Sequence, residues 1–365
     1  MSPLGDAFFA ESWRSLLALP DAVPAPVVAA LAVAIVLFVV VLPSGAVLSI
    51  ASRKMGADLQ ARIGPRLAGP AGVLQPVSDL LKLLQKKGAP SHLGGGSRIR
   101  TWSATFFYIM TVYSTVAALP LGSTVLLIDA EMSAFLPFLA SLVLALGTML
   151  LGISHGTVPS WFGGLRVAQQ AVAGAVPALF ALLTAGMRSG GFRWTLLADS
   201  QAASPWSWGL FVSPFDFLAF VVFLAAGLVL LGVAPLEGGG SSKGGHGGIS
   251  ASLDGTRLLF FLMGRFYGFF LWSVITAVLF LGAWRLPSGV AEMLRESGTL
   301  WALEGAEIAL LLCKVFALML GVSLVASVMP RLRTDQVADF SWRVLSPLSF
   351  LSLVGATVWK AWGLV

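Results

Sequence analysis

The chain has 365 residues, of which 57% are hydrophobic and 11% charged, a balance that excludes an ordinary soluble domain and describes a polytopic membrane protein. One cysteine, Cys313, excludes a disulfide framework or a cysteine metal site within the chain, and His92, His155 and His246 lie too far apart to form a ligand pattern. The net charge of +6 suggests nucleic acid, but its distribution points to membrane topology instead.

Residues 1–23 mix Asp6, Glu11, Arg14 and Asp21 with apolar residues and lack a basic leader, so they read as an N-terminal periplasmic arm rather than a cleaved signal peptide. The remainder, 24–365, reads as an all-α membrane domain. It holds eight apolar segments, at about 24–50, 102–128, 134–154, 166–187, 212–235, 258–284, 302–329 and 343–364. Each reaches the roughly 20 residues of helix that a hydrocarbon core requires, and helices are required because lipid satisfies no free backbone group.

Between the first two segments runs a long basic loop, 52–100. Its first half, Arg62 to Gly72, carries Gly64, Pro65, Gly69, Pro70 and Gly72, too many breakers for a regular element, and so predicts a fixed loop presenting Arg62 and Arg66. Its second half predicts a helix with Pro76 in the first turn. Val73, Val77, Leu80, Leu81 and Leu84 are spaced for one apolar face, with Gln75, Asp79, Lys82, Gln85 and Lys86 on the others. Such a helix lies in the membrane interface, lies under a docked soluble partner, or simply packs on its neighbours.

Lys and Arg set the orientation. Odd-numbered loops and their edges carry fifteen: Arg53, Lys54, Arg62, Arg66, Lys82, Lys86, Lys87, Arg98, Arg100, Arg166, Lys243, Arg257, Arg331, Arg333 and Arg343. The N-terminal arm, even loops and C-terminal end carry six: Arg14, Arg188, Arg193, Arg285, Arg295 and Lys360. The asymmetry predicts cytoplasmic odd loops and two periplasmic termini, in a bacterial-type inner membrane. Trp206, Trp208, Trp284, Trp301 and Trp362 sit at segment ends, as an interfacial belt requires.

The third loop, Ser154 to Leu165, leads into Arg166 and Gln170. The fifth contains Gly238 to Gly248, with few side chains to pack, and reads as a mobile tract rather than a phosphate-binding loop. In the seventh, Arg331, Arg333 and Asp335 form either a partner- or substrate-facing cluster or a solvated topogenic loop. Within the membrane, Arg265 and Lys314 are the exceptional cations. Glu304, Glu307, Leu311 and Lys314 are spaced three, four and three apart on one helical face. That stripe is either an ion or proton path or two interfacial acids beside a neutralised lysine.

The run Gln60–Lys87, the stretch from Lys314 to Gln336 and the eight segments resemble the H-type membrane subunit, also numbered subunit 1, of respiratory complex I. The shared signature includes Arg62, Gly64, Pro65, Gly69, Pro70, Gly72, Leu74, Gln75, Pro76, Asp79 and Lys82, with Arg166, Gln170, Pro235, Lys314, Arg331, Arg333 and Asp335 further on. The resemblance implies a quinone as bound substrate, a chamber lined by these residues, and docking to iron–sulfur and other membrane subunits. Gln60 and Arg66 fall in the same first-loop run, and Glu237 falls beside Pro235. It implies no nucleic acid, and any flavin, iron–sulfur cluster or metal belongs to partners.

Several acids of that family are missing. Ser52 stands for an acid before the first-loop arginine, and Ala173-Gly174-Ala175 for Ser-Tyr-Glu. In the fifth loop Glu237 replaces an Asp and the two following glutamates are lost. Arg265 stands for a Glu and Ala326 for an Arg. A relay of protons cannot run through Ala, Gly and a permanent cation. Two expectations follow: an H-type subunit of a complex-I-like oxidoreductase with its proton path altered or lost, or a non-catalytic membrane scaffold that only docks partners.

Overall fold

Proline and glycine set the helix boundaries here more than hydropathy does. The computed structural model describes residues 31, 34–86, 98–116, 119–122, 126, 128–201, 204–233, 235–236, 248–253, 255–287, 289, 292–293, 300–330 and 332–363. The N-terminal arm, most of the Gly238–Gly248 tract, Glu237 and Arg331 lie outside the described residues.

The long helices are α1 (Leu42–Leu59, entered through a π-helical turn at Val36–Val41), α2 (Gln75–Gln85), α3 (Arg98–Val116), α4 (Phe135–Ser154) and α5 (Val158–Ser189). They are followed by α6 (Pro214–Leu231), α7 (Gly255–Phe280), α8 (Leu300–Val328) and α9 (Thr334–Ala361), the last passing through a π-helical turn at Ser341–Leu345. Short helical turns connect them, and the only pairing of strand type among the described residues is an isolated bridge between Pro120 and Leu126. Seven of these helices, all but α2 and α3, are long and apolar enough to cross a membrane.

Several boundaries differ from those expected. The second segment, 102–128, is described as helix to Val116 and is no longer helical at Leu119, because Pro120 and Gly122 interrupt an apolar run that hydropathy alone would continue. The fourth begins at Val158 rather than 166, with Pro159 in its first turn, so the third connection shrinks to residues 155–157 and Arg166 sits inside a helix. Its Gly164 is not a breaker. A Cβ there would stand 2.8 Å from the Met149 carbonyl, so the glycine lets α5 cross α4 closely. The eighth begins at Thr334 and absorbs most of the charged seventh loop.

α7 is the centre of the bundle. Every residue from Tyr267 to Phe280 is buried, as a helix surrounded on all sides must be. α6 packs on it at Gly227, whose missing side chain makes room for the Trp272 indole; that indole donates to the Phe223 carbonyl at 3.1 Å and stacks on the Phe223 ring. α5 lies against α6, α9 and α4, and α1 against α8. α1, α8 and α9 are the least buried spans and form the periphery.

Candidate functional site

The first-loop segment is a rigid module. At Gly72 (φ 77°) the backbone is left-handed, and any Cβ would collide with the Pro65 carbonyl, so glycine is required twice over. The Arg62 amide donates to the Ala57 carbonyl at 2.8 Å and the Leu74 amide to that of Ala68 at 3.0 Å, which folds the loop back beneath α1. Gln60 ends α1, and Gly64 packs on Lys54. Asp79 is held from two directions: Oδ2 accepts from Arg53 Nη1 of α1 at 2.6 Å and Oδ1 from Gln75 Nε2 at 2.9 Å. α2 therefore rests on α1 and α7 with Gln75, Asp79, Leu80 and Leu83 turned inward.

Of the apolar positions expected on one face of α2, only Leu80 is among the residues turned inward. Val73, Leu74, Val77, Leu81 and Leu84 remain about half exposed, and Ile63 and Leu67 of the loop are more exposed still. Pairing Asp79 with Arg53 fixes Gln75 and Asp79 inward and leaves an apolar stripe outward, flanked by exposed Arg62, Arg66 and Lys82.

A second group gathers at the root of the fifth loop. Arg265 Nη2 donates to the Gly232 carbonyl at 3.0 Å, Gln170 Nε2 to that of Leu236 at 3.2 Å, and the Leu332 amide to that of Pro235 at 3.5 Å. Residues from α7, α5 and the seventh loop thus hold one short stem. Arg265 also borders a cavity of about 20 Å³ with Tyr108, Thr148, Val167, Leu230 and Gly268, room for a water but not for a quinone ring. Arg166 is exposed on α5, one turn before the buried Gln170. Arg333 and Asp335 pair with each other at 3.7 Å on the open surface.

A family model described as NADH dehydrogenase matches residues 31–357. The chain belongs to the NADH dehydrogenase family. It is similar to the H subunit of the NADH-quinone oxidoreductase of Anaeromyxobacter dehalogenans (strain 2CP-C), with 27% identity over 315 residues, 84% of this chain and 76% of that one. The H-type resemblance read from the first-loop signature is thereby borne out, and this NADH dehydrogenase family member is a membrane protein.

In this family member the departures have structural counterparts. Gly174 presses against α6 so closely that a Cβ would stand 2.7 Å from the Leu230 nitrogen and 2.8 Å from the Ala226 oxygen. The neighbouring Ala173 carbonyl accepts the buried Ser341 hydroxyl at 2.6 Å. No tyrosine fits at 174 in this arrangement. Lys314 does not face the acids of its own stripe. Its Nζ donates to the Ala283 carbonyl at 2.9 Å and lies 4.5 Å from the centre of the Trp208 ring, while Glu304 and Glu307 are half-buried further up α8. Among the described residues no group of three His, Cys, Asp or Glu is placed to hold a metal.

Sequence reasoning misses the most buried ion pair, Arg188–Asp216, at 3.1 Å. It counts Arg188 only as a topological charge and does not single out Asp216. Opposite charges at the same-side ends of consecutive spans are the signal that could have found them. Of the expected interfacial tryptophans, Trp206 and Trp362 are exposed, but Trp284 is buried at the end of α7.

Proposed function

We propose that this chain is the H-type membrane subunit of a complex-I-like quinone oxidoreductase, anchoring the soluble redox arm and lining a quinone chamber, with the usual glutamate path altered or lost. The observation that carries this reading is the first-loop module: a clamped loop and helix that turn an apolar stripe and basic side chains away from the bundle. Gln60, Arg62, Gly64, Pro65, Arg66, Gln75, Asp79 and Lys82 build or present that surface. Arg166, Gln170, Glu237, Arg331, Arg333 and Asp335 belong to the same chamber and docking rim. In this reading the quinone ring binds at this rim, between the chain and its partners; the cavity beside Arg265 is too small for it.

In this reading α3 is the eighth membrane crossing, α2 is the interfacial helix, odd loops face the cytoplasm and both termini the periplasm. Partners are other membrane and iron–sulfur subunits, and membrane lipid surrounds the bundle. Flavin, iron–sulfur clusters and metals reside in those partners. The Gly174 crossing and the Arg265 cation support a proton path that avoids the α5–α6 contact.

The test is a mild-detergent purification of the tagged protein, with mass spectrometry of what accompanies it and a quinone-reduction assay on the same sample. Iron–sulfur and membrane partners with quinone-linked activity are expected. Recovery of such partners without quinone-linked activity would instead support a docking scaffold.

A further inference from the structure

α7 ends at Phe280, and the chain then turns through Gly282 (φ 76°) and Ala283 (φ 45°), both left-handed. A helix end leaves its last carbonyls without amide partners, and within a bundle no bulk water takes their place. Here the amides of the turn itself and side chains from other elements take them. Ala277 accepts from the Leu281 and Ala283 amides at 3.0 and 3.3 Å. Gln201 Nε2 donates to Val278 at 2.9 Å and Leu279 at 3.2 Å, and Arg188 Nη2 to Leu279 at 2.6 Å. Gln201 Oε1 accepts the Gly282 amide at 2.8 Å, and Lys314 Nζ donates to Ala283 at 2.9 Å.

We propose that Lys314 is a positioning residue, the charged C-cap of α7, and not a proton carrier. Three observations converge on it. The ammonium sits just beyond the C-terminal end of α7, at the carbonyl of Ala283, a non-glycine residue held at positive φ in the turn that ends the helix, where a cation offsets both the dipole's negative end and strain. Its other side is closed by the Trp208 ring, a cation–π seat that orients but exchanges no proton. No carboxylate stands within ion-pair distance among the described residues; two acids at this end of the fold, Asp216 and Asp199, are paired with Arg188 and Arg285. The acids on its own helix, Glu304 and Glu307, are about three and two turns away.

The decisive comparison is between Lys314→Arg, which keeps a cation and donors but does not deprotonate, and Lys314→Met, which keeps the stem alone. Both are made in the whole assembly from its native membrane, and two quantities are read: the thermal unfolding midpoint of this chain, and proton movement per quinone reduced in proteoliposomes. The second quantity rests on the function proposed above; the first does not. We expect Lys314→Arg to match the natural protein in both. Lys314→Met should lose about 2–6 °C in midpoint, and adding Ala283→Gly, which removes the left-handed strain, should recover part of that loss and the activity with it.

An unchanged midpoint in Lys314→Met overturns the cap. So does a Lys314→Arg protein of normal midpoint that reduces quinone but moves no protons, the signature of a carrier. If the Arg variant is as unstable as the Met variant and Ala283→Gly restores nothing, the cap is equally overturned. A natural protein without quinone-linked activity would refute the proposed function and leave the midpoint comparison to decide the role of Lys314.

Discussion

Arg188 Nη1 and Asp216 Oδ1 stand 3.1 Å apart with side-chain exposures of 4% and 3%, joining the end of α5 to the start of α6. Ser213 completes the arrangement by donating to Asp216 Oδ2 at 2.7 Å, and Gly209 leaves the space the guanidinium fills. Breaking a buried pair strands the surviving charge, which costs about 3–5 kcal/mol, whereas replacing both members by apolar residues is far milder. Asp216→Ala should therefore abolish most folded protein in detergent, and the double variant Arg188→Met with Asp216→Leu should recover a large part. Size-exclusion yield and thermal midpoint measure this; a single variant as stable as the natural chain would show that the pair contributes nothing.

The Arg53–Asp79 pair should behave in the opposite way. Its members are 48% and 34% exposed, so the bridge itself contributes at most about 1 kcal/mol and the bundle should stay folded without it. What it sets is the angle of α2. Arg53→Ala and Asp79→Ala should weaken capture of partner subunits to the same degree, and the double variant should be no worse than either. If Asp79→Ala detaches partners while Arg53→Ala does not, Asp79 contacts a partner directly and the clamp is incidental.

At Gly174 the missing side chain is built into the backbone approach of α5 and α6. Gly174→Ala would place a methyl group 2.7 Å from the Leu230 nitrogen, an overpacking of about 1–3 kcal/mol. Gly174→Tyr should give no folded protein. Ala175 is only half-buried, so Ala175→Glu should be milder than Gly174→Tyr. Expression and thermal midpoint compare the three; a well-folded Gly174→Tyr protein would show that the two helices separate readily and that the crossing is no barrier.

How much the sequence reveals depends on how local the determinant is. The membrane class, most spans and the helix after Pro76 follow from runs and spacings within one segment. The first loop is legible because its glycines and prolines specify their own turns. The role of Gly164 is not legible in that way, because a glycine that breaks a chain and one that admits a neighbouring helix look alike until the neighbour is placed. The cations hide for a related reason. Arg188 reaches Leu279 and Lys314 reaches Ala283, carbonyls 91 and 31 residues away, and carbonyl acceptors have no sequence signature. The same holds for Asp79, whose inward turn depends on Arg53, 26 residues before it.

Arg265 lies within α7, a helix apolar and long enough to cross a membrane, and the Gly232 carbonyl it meets ends α6 at a left-handed glycine. Its role is thus to hold the stem 232–236 from one side while Gln170 and the Leu332 amide hold it from the others. A hydrogen bond from a charged donor is worth about 1.5–3 kcal/mol, roughly ten- to hundredfold in the opening equilibrium that amide exchange reports. Arg265→Leu should accelerate exchange across 232–236 by at least about tenfold and leave the far end of α7, 277–283, unchanged. Gln170→Leu should act on the same stem with a smaller effect, because its bond is neutral. Mass-spectrometric exchange on the purified assembly reads both regions in one experiment. Acceleration confined to α7 itself would mean that Arg265 stabilises its own helix and leaves the stem to others, and equal exchange in both proteins would mean that the bond to Gly232 carries no load.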